Sequence, residues 1–204
     1  MSGPSAASTD PFAVALEVGR ELDDLGVPYH LGGSLASSIH GFARATLDAD
    51  LVADLSPGQG RELARRLGDS FYASPDAMET AIDERRSFNV IHLATMFKVD
   101  VFVLKTTAFD RESFSRSRCQ ALGEPATEVR VATPEDTILH KLLWYEKGGR
   151  VSERQWSDLV GVIEVQGDRL DEVYLERWAR ELGLEPLLAA ARREAKRRLE
   201  EGDR

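Results

Sequence analysis

The sequence has one cysteine in 204 residues, Cys119, so no intrachain disulfide can form, and without a Cys cluster a structural zinc site is excluded. Basic residues are outnumbered, 26 Lys and Arg against 35 Asp and Glu, for a net charge of -9, which excludes a general nucleic-acid coat and leaves RNA only a local cleft. No apolar run approaches bilayer length, and the N-terminus lacks a charged start followed by an apolar stretch, so a cytoplasmic, reducing location without membrane contact is expected. The four histidines, His30, His40, His92 and His140, lack metal-ligand spacing and take no role. Repeats and low-complexity tracts are also missing. What is present, 42% hydrophobic and 30% charged residues, is ordinary for a globular protein. The length suits one compact domain or a core with an appended subdomain, and Met1 to Thr9 is the only stretch expected to be loose.

The pattern predicts a helix from Pro11 to Gly26, a strand at Val27 to Leu31, a Gly-Gly-Ser turn and a second helix over Leu35 to His40. A strand over Leu47 to Leu55 precedes a helix capped at Ser56-Pro57 and running to Leu67. Phe88 to Leu93 and Phe97 to Leu104 read as a hairpin whose second strand puts Phe97, Val99, Val101 and Val103 on one face and Lys98, Asp100, Phe102 and Leu104 on the other. A helical segment from Thr107 to Arg118 and a strand at Glu128 to Ala132 follow. From Thr133-Pro134-Glu135-Asp136, an N-cap with proline and acids in the first turn, the pattern is helical, with a capping box at Ser152-Glu153-Arg154-Gln155. The expected class is α+β, a mixed β-sheet core flanked by helices over residues 1–132, then a helical C-terminal part over 133–204.

Asp48 and Asp50, at i and i+2 on one strand, point the same way and can clamp one or two divalent ions. Without a cation, two such neighbouring charges repel, and one is expected to take up a proton. Gly33 and Ser34, where a glycine turn feeds a helix, offer backbone amides and a hydroxyl to a triphosphate tail. Asp100 joins the pair if its strand lies beside that of Asp48. Two metals there would activate a hydroxyl and neutralise charge at an α-phosphate.

Gly32-Gly33-Ser34, Arg44-Ala45-Thr46-Leu47-Asp48-Ala49-Asp50 and Val99-Asp100-Val101 together resemble the signature of DNA polymerase β-like nucleotidyltransferases. Thr133 to Asp136, Lys141-Leu142 and Ser152 to Asp158 extend the likeness to a branch of minimal bacterial nucleotidyltransferases, over most of the chain. The thirteen residues between Ser34 and Asp48 form a longer gap than in several described branches. The resemblance implies transfer of a nucleoside monophosphate from a triphosphate to an acceptor hydroxyl, with magnesium, or manganese, held by Asp48, Asp50 and Asp100. It further implies a phosphate loop at Gly33-Ser34 and a lysine reaching the triphosphate at Lys141. ATP is the expected NTP by abundance; the acceptor is left open, with RNA among the candidates.

Blander readings stand beside these. Arg44 either meets a phosphate or neutralises the acids, and Lys141 either reaches the triphosphate or is a surface lysine. Arg154 and Asp158 read first as an i,i+4 helix pair. Trp144, Trp156 and Trp178 read as cement between C-terminal helices rather than as base-stacking rings. Two rival functions are a toxin modifying tRNA, neutralised by an antitoxin partner and marked by growth arrest on expression, and a nucleotide-binding module without turnover.

Overall fold

The computed structural model describes residues 11–123 and 126–202; the stretch from Met1 to Thr9 lies outside them. Seven strands, β1 (Tyr29–Leu31), β2 (Asp48–Ala53), β3 (Phe71–Tyr72), β4 (Ser87–His92), β5 (Phe97–Val103), β6 (Arg118–Leu122) and β7 (Thr127–Val131), form one mixed sheet in the order β3-β4-β5-β2-β1-β7-β6. β2 runs parallel to β5, and β1 parallel to β7; the other neighbours are antiparallel. The class is therefore α+β.

Alternation along the central strands decides which face is core. Ala49, Leu51 and Ala53 of β2 and Phe97, Val99, Val101 and Val103 of β5 are buried. They pack beneath α1 (Pro11–Asp24), α3 (Gln59–Leu67) and α4 (Pro75–Asp83), which contribute Leu22, Leu63, Met78 and Ile82. Each such aliphatic side chain, fully buried, contributes about 1.5–3 kcal/mol. The opposite face carries Asp48, Asp50 and Val52 of β2 beside Lys98, Asp100 and Phe102 of β5, the pleat having turned the acids away from the apolar layer.

A second apolar cluster lies among α6 (Pro134–Lys147), α7 (Glu153–Gln166), α8 (Glu172–Glu181) and α9 (Glu185–Gly202). Ile138, Leu142, Leu159 and Leu175 are fully buried in it, and Phe109 of α5 (Ala108–Arg116) joins them. The buried Asp136 carboxylate accepts from Thr133 Oγ1 at 2.6 Å and Tyr174 Oη at 2.5 Å, tying the start of α6 to α8. Between the clusters, α2 (Gly33–His40) ends at Gly41, where a Cβ would stand 3.0 Å from the backbone of Gly161 and Val162. His40 Nε2 lies 2.7 Å from the Ala132 carbonyl, and Gln166 Nε2 donates to the His40 carbonyl at 2.5 Å. The Gly41 and Gln166 contacts hold α7 against the C-terminal end of α2, and the His40 side chain ties that end to the residue after β7.

The hairpin and the caps at Thr133 and Ser152 are as expected from sequence, and Thr107 caps the helix that was expected to start there. Elsewhere the structure departs from expectation. The helix assigned to a Ser56-Pro57 cap begins at Gln59 behind Gly58, whose φ of 89° is outside the helical range, and the Gln59 side chain accepts from the Ser56 amide at 2.9 Å. The helix from Thr107 stops at Arg116, and its last expected residue, Arg118, opens β6 instead. Of the tryptophans, Trp178 is buried among helices, whereas Trp144 is 47% exposed.

Candidate active site

β2 and β5 pair with Asp50 opposite Asp100 and Asp48 opposite Lys98, so three carboxylates and one ammonium occupy adjacent positions on one face. β1 delivers the glycine turn to the same place: the Gly32 amide donates to the Asp50 carbonyl at 2.9 Å, and the Ser34 amide to Asp50 Oδ2 at 3.2 Å. Gly33 sits at φ +50°, directly against that carboxylate. Thr46 Oγ1 lies 3.2 Å from Asp48 Oδ1. Burial pushes the Asp50 carboxyl up to about 6, with Asp48 and Asp100 raising it further and the Ser34 amide opposing them. The repulsion foreseen from the sequence thus adds to the shift at Asp50, but burial is its larger cause. Lys98 Nζ lies 2.7 Å from Asp100, a hydrogen bond that raises the lysine above its ordinary range.

A second cluster meets the first from the helical side. Asp158 of α7 accepts from Arg44 Nε at 2.7 Å, from Arg44 Nη2 at 2.6 Å and from Lys141 Nζ at 2.9 Å. Arg44 Nη2 also donates to Ser34 Oγ at 3.1 Å. Burial opposes ionisation of Asp158, but the hydrogen bonds from Arg44 and Lys141 outweigh it and hold the carboxyl below its usual range. Burial lowers the Lys141 ammonium, with Asp158 pulling the other way. Lys141 is therefore no surface lysine: its side chain is 9% exposed and that of Asp158 8%. The expected pairing of Arg154 with Asp158 is not made; Asp158 is taken by Arg44 and Lys141, while Arg154 lines the cleft.

These residues border a cleft of about 680 Å³. Gly33, Ser34, Arg44, Asp48, Asp50 and Lys141 all line it; Asp100, tied to Lys98, does not. The cleft continues past the acids to Phe102, Phe109, Trp144 and Trp178, and two histidines set aside from the sequence, His30 and His140, also line it. Nothing in their spacing, 110 residues apart, signalled that they would share a wall. Asp158 was within reach of sequence reasoning only as a helix-face residue.

The acids offer hard oxygen donors of the kind magnesium prefers, and the raised Asp50 carboxyl marks a set that a divalent cation would relieve. As the side chains stand, no group of three or more His, Cys, Asp or Glu among the described residues is gathered around a metal position. Asp100 is paired instead with Lys98, whose ammonium supplies positive charge there. No helix among the described residues is long and apolar enough to cross a membrane.

No protein-family model matches the chain, and no curated protein sequence matches it. Among solved structures it is similar to the antibiotic-resistance factor ANT(2'')-Ia, at 15% identity over 87% of this chain and 96% of that one, with a TM-score of 0.48. It is also similar to an antigenic nucleotidyltransferase-like protein from Paracoccidioides brasiliensis, at 16% identity over 94% of this chain and 95% of that one, with a TM-score of 0.46. A CCA-adding enzyme in complex with ATP matches 84% of this chain and 48% of its own length, at 14% identity and a TM-score of 0.37. Each of these structures is distant from this chain in sequence.

Proposed function

We propose that this protein moves a nucleoside monophosphate from a nucleoside triphosphate to an acceptor hydroxyl, with ATP as the expected donor. The observation that carries this reading is the pairing of Asp50 with Asp100 across β2 and β5, beside a glycine turn whose Ser34 amide points at Asp50. Acids in register on one sheet face, next to a glycine turn at a helix start and two cations, suit a polyphosphate and its metal better than a solvated strand face.

Gly33 and Ser34 receive the triphosphate tail, and Arg44 and Lys141, held by Asp158, face it with positive charge. The residues that would hold magnesium, or manganese, are Asp48, Asp50 and Asp100; when bound, the metal supplies positive charge at the α-phosphate and lowers the pKa of the attacking hydroxyl. The acceptor oxygen forms a bond to the α-phosphorus, the bond from that phosphorus to the bridging oxygen breaks, and pyrophosphate leaves. For Asp100 to take the hydroxyl proton, its carboxylate must leave Lys98 and turn into the cleft, which it does not line as it stands. Positioning and electrostatics carry most of such a transfer, and loss of one charge-stabilising group costs about 10²–10³ in rate.

The test is pyrophosphate release from each nucleoside triphosphate with magnesium and, in turn, cellular RNA, small molecules and protein, comparing wild type with Asp48→Asn. Release that depends on one acceptor fraction and vanishes in the variant supports the transferase. Triphosphate binding without release across the whole panel favours the non-catalytic module instead.

A further inference from the structure

The cleft floor carries a second row of residues in register, one strand repeat from the acids. His30 of β1 pairs with Val52 of β2, and Val52 with Phe102 of β5, all on the face that holds Asp50 and Asp100. The two rows lie two residues apart along the strands, roughly 6.6 Å. The first row is charged and the second apolar or aromatic.

The facing helix repeats the order. Along α6, Lys141 meets the charged end through Asp158, and Trp144, one turn on, meets the other. The Trp144 ring packs edge-on to Phe102, with centroids 5.9 Å apart, and lines the cleft while remaining half exposed. Lys147 Nζ stands 5.9 Å from the same ring. Strand and helix thus run the same way, from phosphate chemistry to ring chemistry.

We propose that the wall formed by Phe102 and Trp144 receives the nucleobase of the donor triphosphate by stacking. This rests on the nucleotidyl-transfer reading above and adds to it the place of the base. The base, unlike the acceptor, is tethered: with the α-phosphate at the acid row, a single ribose separates it from the next row along the sheet. A half-exposed indole lining the cleft is a surface on which a flat π-system stacks, and stacking needs no particular hydrogen-bonding edge.

The experiment is calorimetric titration of wild type, Trp144→Ala and Trp144→Phe, with magnesium present, using α,β-methylene ATP and, separately, inorganic tripolyphosphate. Trp144→Ala is expected to weaken nucleotide binding by about 5- to 150-fold, the range carried by stacking on one aromatic residue. Tripolyphosphate, which has no base, should bind all three proteins alike, and Trp144→Phe should retain most of the nucleotide affinity. Equal losses for both ligands in Trp144→Ala, or unchanged nucleotide binding with a raised KM for the acceptor, would overturn the assignment while leaving the transferase standing. Failure of wild type to bind either ligand would overturn both.

Discussion

A Cβ placed on Gly33 would stand 1.7 Å from Oδ2 of Asp50. The glycine turn and the acid strand have therefore closed to a distance that only a hydrogen atom fills, at a φ of +50° that L side chains rarely adopt. Gly33→Ala must move either the loop or the carboxylate. We expect it to cut pyrophosphate release by at least about 10²-fold. The backbone strain, on the order of 1 kcal/mol or more, should lower the melting temperature by about 2–4 °C per kcal/mol. An alanine variant with wild-type rate and melting point would refute this account of the turn.

Asp158 holds two cations at once, and the two differ in how they tolerate its loss. Lys141 is nearly buried, whereas Arg44 is 26% exposed and can turn to solvent. Asp158→Ala leaves the lysine charge uncompensated, which typically costs about 3–5 kcal/mol. Replacing both buried partners, Lys141→Met with Asp158→Leu, should restore most of that stability while activity stays lost. Urea unfolding of the single and double variants checks the cycle; purely additive losses would show that the two groups do not depend on each other.

Most of the charged end of this site could be read from local sequence. The strand pleat, the Gly-Gly-Ser turn and the hairpin each express themselves within a few residues, so the faces of Asp50 and Asp100 followed from period-two alternation alone. The cap residues Thr133 and Ser152 did likewise. Contacts made across the fold left no such trace: Arg44 reaches Asp158 over 114 residues of chain, and the role of an acid on an amphipathic helix depends on what docks there. α4 escaped for a different reason. Its Ser74 cap and Pro75 start are clear, but its buried face amounts to Met78, Ala81 and Ile82, too short to advertise a helix between two strands. β6 is an edge strand without a fully buried residue, so alternation had nothing to mark.

The raised Asp50 carboxyl couples metal binding to pH. A ligand must be deprotonated to bind magnesium, so apparent affinity should fall about tenfold per pH unit below about 6 and level off above it. In the metal-free protein the sign is the reverse of the usual carboxylate case. Because the folded pKa lies above the unfolded one, protonation favours the fold, and stability declines as pH rises from the ordinary Asp range through about 6. Magnesium should therefore raise the melting temperature more at neutral pH than in mild acid, and Asp50→Asn should remove that difference. A magnesium shift independent of pH would place the metal elsewhere.

His30 works in the opposite direction. Burial, then the nearby His140 and Arg130, lower its pKa from 6.5 to about 3, and its ring packs against Phe114 at 5.1 Å with Nδ1 unpartnered in the interior. The folded protein holds it neutral while the unfolded chain protonates it below 6.5, so its contribution is complete at neutral pH and drains away as pH falls toward about 3. One such group adds a slope approaching 1.4 kcal/mol per pH unit once the pH is well below 6.5. Burial also lowers His40 and His140, so His30→Leu should flatten the acid limb without abolishing it. Over neutral pH to about pH 4.5, where Asp50 titrates equally in both proteins, the difference in urea unfolding between wild type and His30→Leu reads that slope. The leucine variant should lose less stability over this interval than wild type. An unaltered slope would mean that His30 takes up its proton inside the fold, and that the cleft wall it shares with His140 admits a charge.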